Sequence, residues 1–150
     1  MIRHIATATL AGTFFIAAQT ALAGFDFVTT SRPAILYDAP SVAANRTAII
    51  GPGYPLEVLV RIENWLKVRD RTGELLWIES SNAQGKPSVI VTSASANVLE
   101  KPQPDASTRY RVSQGVSLEL AGDSGEPGWI KVRHPQGGEG YLSLRDIWGQ

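Results

Sequence analysis

Two short segments carry the side chains with the most chemistry to offer: Trp65-Leu66-Lys67-Val68-Arg69 and Trp129-Ile130-Lys131-Val132-Arg133. On a strand, successive side chains point to opposite faces, so each segment puts an aliphatic pair on one face and a Trp, a Lys and an Arg on the other. If Leu66 and Val68, and likewise Ile130 and Val132, turn inward, Trp65, Lys67 and Arg69 share an outer face, as do Trp129, Lys131 and Arg133. A partly exposed indole offers a flat apolar surface to a sugar or prolyl ring, and a neighbouring guanidinium can fork onto a carboxylate. Tyr37, Trp77 and Tyr141 complete the set of candidate contact residues. The same rings suit a structural duty better, capping a thin core or lining a contact between domains, Trp77, Tyr141 and Trp148 above all. Lys and Arg at alternate strand positions are ordinarily solvated.

Other chemistries are poorly supplied. The 150 residues contain no Cys, which removes thiolate nucleophiles, thiolate metal sites, iron–sulfur clusters and disulfides. Of the two histidines, His4 lies in the N-terminal segment and His134 follows Arg133 in a turn. A hydrolytic site needs a nucleophile held by its base and donors for an oxyanion, and no Gly-x-Ser-x-Gly elbow is present. One His without clustered carboxylates does not make a metal shell, so neither enzymatic activity nor a metal or cofactor is expected. The acids Asp38, Glu57, Glu100 and Glu119 recur at matched places, which shared ancestry of two segments explains. Fourteen basic residues against fourteen acidic ones leave no surplus cation for phosphate backbones, so nucleic acid is not an expected partner.

Positioning these side chains falls to a duplicated strand unit. Residues 27–58 align with 89–120, and 65–78 with 129–142, giving thirteen identities in 46 positions, several times what composition alone would give. Among the pairs are Thr30/Thr92, Ser31/Ser93, Gly53/Gly115, Leu56/Leu118 and Glu57/Glu119, followed by Trp65/Trp129, Lys67/Lys131, Val68/Val132 and Arg69/Arg133. The second copy is two residues longer, and the excess falls in its Gly/Pro-rich stretch 122–128. Period-2 alternation over 56–62 predicts a strand with Leu56, Val58, Val60 and Ile62 on one buried face. Turn clusters at 70–73 and 135–138 predict a hairpin beginning at each Trp. Further strands are expected near 27–30, 34–37 and 46–50, and near 89–93, 96–99 and 108–112, with no helical periodicity after the N-terminal segment. Short strands in such number favour a small, strongly bent barrel, because closure removes exposed edges.

At the N-terminus, Met1-Ile2-Arg3-His4, an uncharged run from Ile5 to Ala18 and the pair Ala21 and Ala23 have the three-part layout of a secretory signal peptide, with cleavage after Ala23. The apolar run is shorter than the roughly 20 residues a membrane-spanning helix needs, so no stable membrane anchor is expected. Residues 1–23 are therefore read as a signal peptide, 24–82 as the first domain, 83–87 as a linker and 88–150 as the second domain.

The repeated order of strand, Pro-containing turn, Gly-entered strand, Trp-x-Lys-Val-Arg, Gly turn and aromatic-aliphatic pair (Trp77-Ile78, Tyr141-Leu142) resembles the bacterial SH3-like domains. With the tail Asp146-Ile147-Trp148-Gly149, it is similar to exported proteins carrying two such domains in tandem. The four residues Ile35-Leu36-Tyr37-Asp38 also resemble the segment with which eukaryotic SH3 domains contact proline-rich peptides. Two departures stand out: Leu76 replaces the Gly that usually precedes the aromatic, as in Gly140-Tyr141, and Ala34-Ile35-Leu36 stands where Asn-Val-Arg is usual. The resemblance implies an all-β fold of two small barrels. It further implies a periplasmic, non-enzymatic binding module for cell-wall (peptidoglycan) peptide or glycan, or for an envelope protein. The alternative is a structural or assembly role in which the aromatic faces bury one another between domains or chains. Oligomeric state has no signal in the sequence.

Overall fold

The computed structural model describes residues 25–136 and 138–150. The expected signal peptide lies outside them. Apart from two single 3-10 turns, all regular structure in this part is β, arranged as two sheets in tandem. The first sheet is built from β1 (Phe27–Thr29), β2 (Ala34–Tyr37), β3 (Arg46–Ile50), β4 (Pro55–Ile62), β5 (Trp65–Arg69) and β6 (Leu75–Glu79). The second comprises β7 (Ser88–Val91), β8 (Ser95–Leu99), β9 (Thr108–Ser113), β10 (Ser117–Gly122), β11 (Trp129–Arg133), β12 (Glu139–Ser143) and β13 (Ile147–Trp148). Spatial order is β1-β4-β5-β6-β2-β3 in the first and β13-β7-β10-β11-β12-β8-β9 in the second. With β13 set aside, the orders are the same, so the repeat read from the sequence is also a repeat of topology.

All six strands of the first sheet contribute to one apolar cluster. Ala34, Leu36, Leu56, Leu66, Val68, Leu76, Ile78 and Ala83 are buried there, with Val28 and Ile50 packed against them. The second sheet encloses Val89, Val91, Ala96, Val98, Val112, Leu118, Ile130, Val132 and Leu142 in the same way. A sheet whose every strand feeds one cluster must curl around it, and matched bulges supply the bend. One sits at Leu59 in β4 and at Ala121 in β10; the other sits at Thr47 in β3 and at Arg109 in β9.

The bulge at Leu59 corrects one expectation. Alternation over 56–62 predicted Val60 and Ile62 on the buried face with Leu56 and Val58. The extra residue reverses the facing of everything after it. Val60 now lies opposite Lys67 and Ile62 opposite Trp65, and both are exposed.

A second correction concerns the join. The stretch read as a linker from residue 83 begins inside the first barrel: Ala83 is packed in its core, and the Gly85 amide donates to the Thr29 carbonyl at 2.7 Å. Residues 82–85 close the first barrel as Asp146-Ile147-Trp148-Gly149 closes the second, which extends the repeat past the aligned segment. Close backbone approach requires both closing glycines. A Cβ at Gly85 would lie 2.5 Å from the Thr30 carbonyl oxygen, and one at Gly149 would lie 2.8 Å from Pro55 Cβ and 3.1 Å from the Ser88 carbonyl oxygen.

The two barrels touch. Phe27 of β1 meets Trp148 of β13 edge-on at 5.1 Å, and Ser88 Oγ donates to the Gly53 carbonyl at 2.7 Å.

Candidate functional site

Leu66 and Val68, like Ile130 and Val132, are buried, whereas Trp65, Lys67, Arg69, Trp129 and Lys131 are half-buried and Arg133 is exposed. The alternation thus places both Trp-x-Lys-x-Arg sets on the outer faces of their sheets. Cross-strand register then decides their neighbours, because residues directly opposite on antiparallel strands share a face.

In the first barrel, β6 sets Glu79 opposite Trp65, Trp77 opposite Lys67 and Leu75 opposite Arg69. On its other side Trp77 lies opposite Tyr37 of β2. Tyr37 is buried, 7% exposed, and its ring meets Trp65 edge-on at 5.4 Å. The Lys67 ammonium stands 5.9 Å from the centre of the Trp77 ring, within the range of a cation–π contact. Arg69 donates to Glu57 at 3.0 Å, and that carboxylate is nearly enclosed, its side chain 10% exposed. Of the five sequence candidates in this barrel, Trp65, Lys67 and Trp77 therefore form one patch resting on the fourth, Tyr37. Arg69 is turned to an internal acid.

The second barrel repeats the frame with different occupants. Glu139 stands opposite Arg133, Tyr141 opposite Lys131 and Ser143 opposite Trp129. Glu139 receives hydrogen bonds from Arg133 and an ion pair from Lys131 at 3.1 Å; Glu119 lies 3.9 Å from Arg133 and 3.3 Å from Lys86. These contacts hold the Glu139 carboxyl below its ordinary range, through the Arg133 hydrogen bond first and that of Lys131 second, and they raise Arg133. Both cations of this face are engaged within the chain.

Gly140 accounts for one departure noted in the sequence. A Cβ there would lie 2.5 Å from Val98 Cγ1 and 2.8 Å from the Leu99 carbonyl oxygen. In the first barrel the matching position holds Leu76, buried in the core, so the two copies fill this place by different packing.

His134 sits where β11 ends. Its Nδ1 accepts from the Gln136 amide at 3.2 Å, and its ring is edge-on to Tyr110 at 6.0 Å. The Tyr110 hydroxyl donates to the Gly138 carbonyl at 2.9 Å, and burial raises that phenol's pKa. Among the described residues no three His, Asp or Glu side chains converge as a metal site.

Sequence reasoning did not find the cleft between the barrels. It has a volume of about 530 Å³ and is lined by, among others, Thr30, Gly53, Lys86, Ser88 and Glu119. Its polar groups are largely paired already: Thr30 Oγ1 donates to the Gly51 carbonyl, Ser88 Oγ to Gly53, and Lys86 faces Glu119. The only signal in the sequence was the repetition of Thr30 and Ser31 as Thr92 and Ser93, which marks the fold rather than a ligand.

A family model described as a bacterial SH3 domain matches the chain twice, at residues 30–85 and 92–149. No curated protein matches it. Among solved structures, NlpC2 from Trichomonas vaginalis is similar with 15% identity and a TM-score of 0.36, over 83% of this chain and 47% of that one. NlpC1 from the same organism is similar with 15% identity and a TM-score of 0.36, over 93% of this chain and 51% of that one. The chain thus spans about half the length of either.

Proposed function

The chain belongs to the bacterial SH3 domain family, and from that premise we propose that it is an exported, non-enzymatic binding module of the bacterial cell envelope, recognising cell-wall peptide or glycan, or a protein partner. The outer face of the first barrel carries this reading: Trp65, Lys67 and Trp77 gathered on a buried Tyr37, beside the exposed side chains of Val60, Ile62 and Leu75. Aromatic rings next to a cation and open aliphatic surface are the ingredients of a recognition patch. Export is supported by the layout of residues 1–23. Among the described residues no helix is long and apolar enough to cross a membrane. The absence of enzymatic activity is supported by His134, whose Nδ1 is occupied by a turn amide and whose ring leans on Tyr110.

The test is co-sedimentation of the purified protein with isolated sacculi. Wild type is expected in the pellet. Trp65→Ala and Trp129→Ala variants that keep the wild-type circular dichroism spectrum are compared with it, and loss of sedimentation in either assigns the contact to that barrel. Wild-type protein left in the supernatant removes the cell wall as ligand, and full retention by both folded variants removes the aromatic faces as its site.

A further inference from the structure

The duplication supplies an internal comparison, because the same Trp, Lys and Arg stand on the same strands with different surroundings. In the second barrel Glu139 engages Arg133 and Lys131 together, and Glu119 closes the row from β10. Leu75 occupies the matching place in the first barrel, opposite Arg69. Arg69 has Glu57, but Lys67 forms no ion pair among the described residues. On the same outer face stand Val60, directly opposite Lys67, and Ile62 and Leu75, opposite Trp65 and Arg69, exposed by 41%, 47% and 47%. Two of these three face outward only because of the bulge at Leu59. Gly122 is the residue opposite Lys131, where the first barrel has Val60 opposite Lys67, so the second face lacks this aliphatic surface as well as the free charge.

Building on the reading of the chain as a binding module, we propose that the outer face of β4, β5 and β6, and not its counterpart in the second barrel, docks a short extended segment of a partner protein that carries a carboxylate between aliphatic side chains. Charge complementarity selects the carboxylate: a cation against an aromatic ring and without an internal acid gains most from an acid brought to it. The aliphatic flanks select the rest. A sugar ring needs an open indole face, whereas Trp65 rests on Tyr37 and Trp77 has Lys67 beside its ring. The aliphatic side chains that remain open are Val60, Ile62 and Leu75, and Glu79, opposite Trp65 on the same face, accepts from the Asn82 side-chain amide at 3.3 Å. Size selects a segment over a second copy of the chain. Three strands of about five residues cover roughly 14 by 17 Å, well below the roughly 800 Å² that each partner buries in a stable pairwise complex.

The experiment uses the purified chain, a panel of blocked heptapeptides with a central aspartate between valines or isoleucines, and their asparagine twins, read by amide NMR shifts and Trp fluorescence. Saturable shifts confined to β4–β6 are expected, with the asparagine twins about three- to fivefold weaker, the size of one exposed charge pair. Lys67→Met removes the difference between the twins. Leu75→Glu, which copies the second barrel's acid at an exposed site, weakens the aspartate peptides at least about tenfold, while Glu139→Leu brings new shifts on β11–β12. Equal affinity for the twins, or wild-type shifts on both barrels alike, or no change in Leu75→Glu, overturns the proposal. Sacculi form the second arm. Pelleting with sacculi without any peptide shift overturns the docked segment but leaves the binding module standing. Peptide shifts without pelleting support the segment and remove the wall, and neither response overturns both readings.

Discussion

At the scale of single residues, one glutamate separates the two outer faces. Glu139 is held by Arg133 and Lys131, which depress its pKa; at the matching place Leu75 cannot accept anything. A carboxyl whose folded pKa lies below its unfolded value stabilises fully above the unfolded value and ceases to do so as pH falls through the folded one. Glu139→Gln is therefore expected to melt below wild type at neutral pH, with the gap closing as the pH is lowered through the acid range. Both side chains are open to solvent, so the gap is small and shrinks with added salt. Thermal melts across pH and salt series check this, and a gap that widens in acid contradicts it. Trp65 is the residue whose role is mixed, since it is half-buried, with its exposed part in the patch and its ring packed against Tyr37. Trp65→Ala is expected to cost roughly 2 kcal/mol in urea unfolding, from half the burial of a large ring plus the aromatic contact, and Trp65→Phe to recover most of it.

At the scale of strands, the decisive feature is the bulge in β4. Leu56 precedes it and is fully buried, whereas Val60 follows it and is 41% exposed, although uninterrupted alternation would make them equivalent. Leu56→Ala should cost about 2–5 kcal/mol, the range for a large-to-small change in a core. Val60→Ser should stay within about 0.5 kcal/mol, as surface changes do. Equal costs in urea titrations would mean that β4 runs without the inserted residue. The same strand shows what the sequence could and could not reveal. The period-2 pattern of Trp65 to Arg69 and of its copy needed only local information, and the strands, the repeat and the outward cations were legible from it. The bulge was not, because Leu59 is as apolar as its neighbours, and an inserted residue is visible only through its pairing with β5. Glu139 could not be read as the partner of Lys131 either, since that contact runs diagonally between strands and depends on register. Tyr37 stood out as an aromatic, but its burial beneath Trp65 is a consequence of β2 lying against β6, which no spacing along the chain encodes.

At the scale of the whole molecule, two small barrels share a seam. Units of this size bury little apolar surface each and are individually marginal, so contacts between them matter more than their area suggests. The seam is held by Phe27 against Trp148, by the Ser88 hydroxyl on the Gly53 carbonyl, and by Gly149, whose lack of a side chain lets the closing turn of the second barrel lie against Pro55 of the first. Trp148 pairs within its own sheet through β13 while its ring reaches the first strand of the other. It thus ties the closure of one barrel to the edge of its neighbour. The outer face of β4 to β6 shares strand β4 with this seam, because Phe27 lies opposite Glu57, the acid that holds Arg69. Trp148→Ala should loosen the coupling more than it weakens either core, since none of the residues buried in the two clusters loses a partner within its own barrel. Scanning calorimetry is expected to show one transition for the wild type, with calorimetric and van't Hoff enthalpies in agreement. The variant should show a broadened or split one, with a calorimetric enthalpy exceeding the van't Hoff value. A variant that still melts in a single matched transition would show that the hydrogen bonds around Ser88 suffice to make the two barrels one cooperative unit.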